Sequence, residues 1–289
     1  MDREAELAVV RRAYAKQILA AVRVDNVSLE AAFAAVRRED FLGPGPWPIM
    51  RYQDFYLPTP SDDPVYLYTD SLVGIDPARR INNGQPSLHA HLLAAAVPAK
   101  GEHVVHVGAG TGYYTAIMAE MVGAPGRVTG VEFDGQLARR AEANLAHYPN
   151  VTVIEGDGAA VRYDAADVIY VNAGATAPAS AWLDRLTEGG RLILPLTTEQ
   201  GFGKIEVEKV AQRGAVFQIG KRGTDFHAKW ISPVAIFPCA GNRDDASEKA
   251  LALALQTGEA RKVTRLYRSE QVPDERCWLR GSGWCLAYS

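Results

Sequence analysis

The stretch Val104-Val105-His106-Val107-Gly108-Ala109-Gly110-Thr111-Gly112-Tyr113 decides how this chain is read. A mostly apolar run enters a Gly-x-Gly-x-Gly turn, and helix-compatible residues follow it. Glycine lets the backbone take left-handed turns and lets a ligand approach with no Cβ in the way. In open parallel sheets such turns lie at the carboxyl ends of strands, where ligands bind.

Outward from this turn the same rhythm repeats. Short apolar runs predict strands over His103–Val107, Arg127–Val131, Val151–Glu155, Asp167–Val171 and Arg191–Leu196. Between them, helices are predicted over Tyr113–Val122, Gly135–Ala146 and Pro178–Leu186. Strands alternating with helices imply a parallel sheet covered on both faces. After Pro195 strand follows strand, over Lys204–Ala211, Ala215–Gly220 and Ile231–Phe237, which implies antiparallel pairing at one edge. Residues 246–256 read as a helix, and the tail with Trp278, Trp284, Cys285 and Leu286 adds a final strand. Upstream, residues 4–24 carry Leu7, Val10, Ile18, Leu19 and Val22 at near-helical spacing. A second helix is predicted from Ser28 as N-cap, with Glu30 in its first turn, to about Arg37. The prolines of Pro44–Pro64 exclude a regular helix and argue against a central strand, so this segment is expected to be an ordered loop or lid. The expected fold is α/β: a Rossmann-like, doubly wound, seven-stranded sheet, mostly parallel with an antiparallel edge, plus N-terminal helices and a C-terminal extension. The expected domains are 1–100 (helices and lid), 101–238 (the sheet domain) and 239–289 (the extension).

Composition narrows the classes. Hydrophobic residues make up 47% of the 289, enough for a sizeable core, and the net charge is −3. Lys221-Arg222 and Arg261-Lys262 are isolated pairs, so the basic face that nucleic acid requires is not expected. The apolar run Leu92–Val97 is too short to span a bilayer, and the start Met1-Asp2-Arg3-Glu4 is too acidic for a signal peptide. Neither a membrane partner nor export is expected, and a cytoplasmic setting is. Cys239, Cys277 and Cys285 show no disulfide framework or CxxC pattern, so reduced thiols are expected. No metal site is expected: His89 and His91 diverge by about 200° on a helix, and His103 and His106 point to opposite faces of a strand.

The spacing of the turn also discriminates between ligands. A dinucleotide fingerprint, G-x-G-x-x-G, would put a small residue at position 113, and Tyr113 stands there. A ligand without a diphosphate is therefore expected, and S-adenosylmethionine (SAM) is the common one. Glu132 follows the second strand, where a carboxylate accepts hydrogen bonds from a ribose diol. Asp157-Gly158 ends the third strand and would cover the adenine edge.

With these motifs in view, the sequence resembles the class I SAM-dependent methyltransferases and, more narrowly, the protein-L-isoaspartate O-methyltransferase family. The likeness runs over roughly residues 28–196 and is carried by Val36-Arg37-Arg38-Glu39-Asp40-Phe41, Tyr68-Thr69-Asp70, Gln85-Pro86-Ser87, Val107–Tyr113, Asn150–Gly158 and Gly189–Pro195. The resemblance implies a cofactor site of Gln85, His106, Gly108, Ala109, Gly110, Thr111, Gly112, Tyr113, Glu132, Phe133, Asp157, Gly158 and Asn172. The acceptor site is expected at Asn82, Asn83, Gly84 and Gln85, with Tyr68 and Asp70 nearby and 44–67 as lid. Asn83, Gly84 and Asp70 are the candidate catalytic residues. The chain departs from the family pattern in three places. His106 stands where an acid is usual, Gly84 where a serine precedes the Gln-Pro, and the segment between Phe41 and Tyr68 is longer. The expected activity is SAM-dependent methylation of a carboxylate on a peptide or protein. A small metabolite or modified peptide as acceptor, and a non-catalytic SAM-binding or S-adenosylhomocysteine-binding module, remain open alternatives; an RNA substrate is disfavoured by the charge.

Overall fold

The computed structural model describes residues 2–51, 55–199, 210–237, 241–269 and 271–289. In chain order the elements are α1 Arg3–Ala21, α2 Val27–Ala35, β1 Pro48–Arg51, β2 Phe55–Pro58, β3 Gly74–Asp76, β4 Ile81–Asn82, α3 Pro86–Ala96, β5 His103–Val107, α4 Tyr113–Val122, β6 Arg127–Glu132, α5 Gly135–Leu145, β7 Val151–Glu155, β8 Ala166–Val171, α6 Ser180–Asp184, β9 Leu186–Thr197, β10 Gly214–Arg222, β11 Asp225–Pro233, α7 Asp245–Gln256, β12 Arg265–Tyr267, β13 Cys277–Gly281 and β14 Trp284–Ala287. One sheet runs in the order β13-β14-β12-β11-β10-β9-β8-β5-β6-β7. β5, β8 and β9 pair in parallel, and from β9 outward through β10, β11, β12, β14 and β13 each pairing is antiparallel. Strand order reverses at β5, which lies between β8 and β6. Such a reversal opens a crevice at the strands' carboxyl ends.

Burial explains the central elements. All five residues of β5 are buried, as a strand covered on both faces requires. α4 is buried almost all round, whereas α5 turns only Leu137, Ala138, Ala141 and Leu145 inward. Asp134 starts α5 by accepting hydrogen bonds from the amides of Gln136 and Leu137.

By internal packing the chain forms two compact units interleaved in sequence. The first comprises Met1–Gly101, Ala109–Gly130 and Asp134–Val153; the second comprises Glu102–Gly108, Val131–Phe133 and Ile154–Ser289. α4 packs with α2, and the tail strands join the later strands of the sheet. Within the first unit Tyr113 meets Phe33 and Phe41 edge-on. In the second, one apolar cluster extends from Val105 through Phe217 to Trp278 and Leu286.

Local expectations are corrected where tertiary contacts intervene. The second helix is capped by Asn26, whose side chain accepts from Leu29 N at 3.0 Å, rather than by Ser28. Within the proline-rich segment β1 and β2 pair antiparallel, residues 59–63 stay outside helix and strand, and Trp47, Ile49, Leu67 and Val73 bury a small core. The helix expected over Pro178–Leu186 shortens to α6. The strand expected over Ile231–Phe237 ends at Pro233, having begun at Asp225. Residues 204–209 of the strand expected over Lys204–Ala211 lie outside the described residues, and Val210–Gln212 is a 3-10 turn. Among the described residues the sheet has ten strands, of which the tail supplies β12, β13 and β14. Across β13 and β14 a disulfide joins Cys277 to Cys285, which corrects the expectation of unpaired thiols. Among the described residues no helix is long and apolar enough to cross a membrane.

Candidate functional site

In the second unit the strand ends bring together Gly108, Glu132, Phe133, Asp157, Gly158 and Asn172. Gly108 follows β5 at φ +80°, its N–H donates to Val131 O at 2.9 Å, and a Cβ there would fall 2.9 Å from Asn172 O. Only glycine allows the chain to pass so close. Glu132 ends β6 and is buried to 8% exposure, while Phe133 beside it is 56% exposed. Gly156 N donates to Glu132 O at 2.8 Å, joining the exits of β6 and β7. The Asp157 carboxylate accepts from Ala159 N at 2.9 Å. Gly158 answers to packing: a Cβ would fall 2.3 Å from Val107 Cγ1, and its carbonyl accepts from Trp182 Nε1. Asn172 N donates to Val107 O, tying the exits of β8 and β5.

In the first unit the turn continues through Ala109–Gly112 into α4. Gly110 and Gly112 take φ of +58° and +98°. A Cβ at Gly112 would strike Leu145 Cδ1 at 2.7 Å, whereas one at Gly110 would meet nothing within 4 Å. Gly110 thus has open space on its side-chain face, where Gly112 is packed against Leu145. Thr111 is buried, and its carbonyl accepts from Asn144 Nδ2.

Two residues expected in the cofactor site have buried side chains. His106 has no exposed surface for a cofactor to touch and packs edge-on against Tyr170 at 5.6 Å. Burial pushes its pKa down to about 3, so the imidazole is neutral. The Tyr113 side chain is 2% exposed and belongs to the aromatic core, with the Arg38 guanidinium over its ring.

The expected acceptor residues, also in the first unit, are largely committed to the fold. Asp70 accepts from Ser87 N at 2.8 Å and from Gln85 Nε2 at 3.1 Å. It therefore caps α3, whose own N-cap Gln85 makes no side-chain capping bond. Asn83 is buried, and its Oδ1 accepts from Val73 N and from Arg38. Arg38, wholly buried, also donates to the carbonyls of Leu67, Thr69 and Ser71, pinning the 67–71 segment. Tyr68 donates to Glu39, and burial, reinforced by that carboxylate, raises its pKa. Gly84 sits at φ +75° in a turn closed by Asn82 Oδ1 on Gly84 N. A Cβ there would fall 2.3 Å from Nε2 of His89, whose ring is buried and stacked on Tyr114 at 3.5 Å. His89 thus fills the space a residue-84 side chain would need. Sequence reasoning missed the roles of Arg38 and His89; the Val-Arg-Arg-Glu motif quoted Arg38 without signalling its carbonyl partners.

A doubly wound sheet with a left-handed glycine turn after β5 and acids ending β6 and β7 defines the SAM-dependent methyltransferase class. The family model of protein-L-isoaspartate(D-aspartate) O-methyltransferase (PCMT) matches residues 17–222, and the chain belongs to that family. It is 34% identical over 175 residues to a protein-L-isoaspartate O-methyltransferase of Ignicoccus hospitalis, covering 59% of this chain and 77% of that one. A protein of the same name from Thermotoga maritima is 32% identical, over 57% of this chain and 49% of its own, so this chain spans about half of that relative. A solved protein-L-isoaspartate O-methyltransferase superposes with a TM-score of 0.63 at 26% identity, covering 80% of this chain and 66% of that one.

Proposed function

We propose that this chain transfers the methyl group of SAM to a carboxylate on a peptide or protein, forming a methyl ester. The observation that carries the reading is the left-handed glycine turn leaving β5, matched to the family. Glu132 would hold the ribose hydroxyls, Asp157 and Gly158 the adenine edge, and the backbone at Gly108 the amino-acid portion. When bound, SAM supplies an electrophilic methyl on a sulfonium. A carboxylate acceptor is ionised at neutral pH and needs no general base. The protein's work is then positioning and exclusion of water, which can contribute on the order of 7–11 kcal/mol. That Asp70 and Asn83 are committed to hydrogen bonds within the fold fits a reaction with no acid–base dyad.

The Gly84–His89 arrangement favours a second reading of the acceptor. With imidazole where the family presents a serine hydroxyl, a carboxylate in another setting, on a modified peptide or a metabolite, fits the same chemistry. A cytoplasmic location is part of the proposal, checked by fractionating the cells that make the protein; recovery from the membrane or secreted fraction rejects it. The direct test is a labelled-methyl screen of isoaspartyl peptide, extract protein and extract metabolites. Base-labile methanol release from peptide or protein supports the proposal, and label found only in base-stable products sinks it.

A further inference from the structure

The segment after the family match, Gly241-Asn242-Arg243, is fastened to the strand ends of the second unit. Arg243 is largely buried, its side chain 11% exposed. Its guanidinium donates to Gly174 O at 2.6 Å and to Thr197 O at 2.9 Å, and it pairs with Glu248 in the first turn of α7. Asn242 Nδ2 donates to Ala177 O at 2.7 Å. Thr176 Oγ1 meets Ser247 Oγ at 2.6 Å, and Gly174 N donates to Phe237 O at 3.0 Å. Each residue of the turn leaving β8, from Gly174 to Ala177 with Ala175 excepted, is thereby held by the extension. The same turn begins at Asn172. Gly241, at φ +113°, passes against the Asp157 carboxylate: a Cβ there would fall 3.1 Å from Asp157 Oδ2.

We infer that Gly241–Arg243 forms an outer wall of the cofactor pocket, and that Arg243 is a positioning residue that fixes the turn after β8 and holds the chain against Asp157. The inference rests on the SAM reading given above. Its physical logic is preorganisation: two carbonyls and a carboxylate converge on one planar guanidinium, whose fork of donors can satisfy all three. A lysine there presents a single point of charge and cannot hold the same geometry. The family match ends at residue 222, so these residues lie beyond it.

The test measures S-adenosylhomocysteine binding to the 289-residue chain by calorimetry, with KM for SAM and for the acceptor. Arg243→Met is expected to raise the Kd and KM for the cofactor about tenfold, the size of a lost charge-assisted hydrogen bond, leaving the acceptor KM near wild type. Arg243→Lys is expected to fall between the two. Gly241→Ala, which leaves Arg243 in place and crowds Asp157, is expected to weaken binding in the same direction. Wild-type affinity in a folded Arg243→Met protein, or a change confined to the acceptor KM, overturns the inference. If Arg243→Met fails to fold, wild-type affinity in Gly241→Ala does so. Absence of binding by the wild-type protein would instead reject the SAM reading itself.

Discussion

The strand-end crevice around Gly108, Glu132 and Asp157 and the turn around Asp70, Asn83 and Gly84 were both legible as polar, glycine-bearing motifs, yet they use those residues in opposite ways. In the crevice, backbone conformation does the work: the chain is forced into left-handed turns, and the acids stand at strand ends. At the 70–84 turn the polar side chains close hydrogen bonds to the fold's own backbone. Asp70 caps α3, and Asn83 joins Arg38 to Val73. A polar residue near a ligand site is therefore not by type alone a ligand residue; its partners decide.

Substitutions can break this contrast, beginning with the largest expected effect. Arg38→Met leaves the buried carbonyls of Leu67, Thr69 and Ser71 and the Asn83 amide oxygen without their charged donor. It should remove about 4 kcal/mol of unfolding free energy in urea titration. A loss under about 1 kcal/mol would show that the 67–84 region is not held from within. Gly112→Val combines a left-handed φ with collision against Leu145. It should lose about 3 kcal/mol and cofactor binding together. Gly84→Ser should lose about 2 kcal/mol through collision with His89, and adding His89→Ala should restore part of it. Strict additivity of the two changes would separate Gly84 from His89.

His106 gives a pH dependence. Its folded pKa of about 3 lies below the unfolded value near 6.5, so the unfolded chain binds the extra proton. Its contribution is full above the unfolded pKa and is lost as pH falls toward 3. Between pH 7 and pH 5 the loss should be about 2 kcal/mol, and His106→Leu should remove that slope. Equal slopes in the two proteins would mean the imidazole is not buried as described. The smallest effect sharpens the contrast from the other side. Glu132→Gln should leave the melting temperature near wild type and weaken S-adenosylhomocysteine binding by about 1.5 kcal/mol, roughly tenfold.

How far reading went depended on how local the physics was. β5, α4 and β7 fall on the residues their apolar runs marked, because periodicity and the glycine turn act within a few residues. The Asn26 cap was missed by two residues, since Asn26 and Ser28 are both competent and only the helix start chooses between them. The proline-rich segment holds two strands because they pair with each other away from the main sheet, where missing N–H donors are tolerated. β12 depends on β11 and β14, distant partners that no local pattern names, whereas β13, β14 and the Cys277–Cys285 bond form one local hairpin that the apolar pattern of the tail did not resolve.

Residue order was enough to specify the glycine turn, the alternation of strand and helix, and the acids closing two successive strands, because each is a short-range consequence of φ, period and spacing. The burial of His106, the imidazole filling the space beside Gly84, the capture of Asp70 and Asn83 by backbone amides, and the clamp of Arg243 on the turn after β8 arose only on folding. Each joins groups from separate parts of the chain, and hydrogen bonds and close packing recognise distance in space, not distance along the chain.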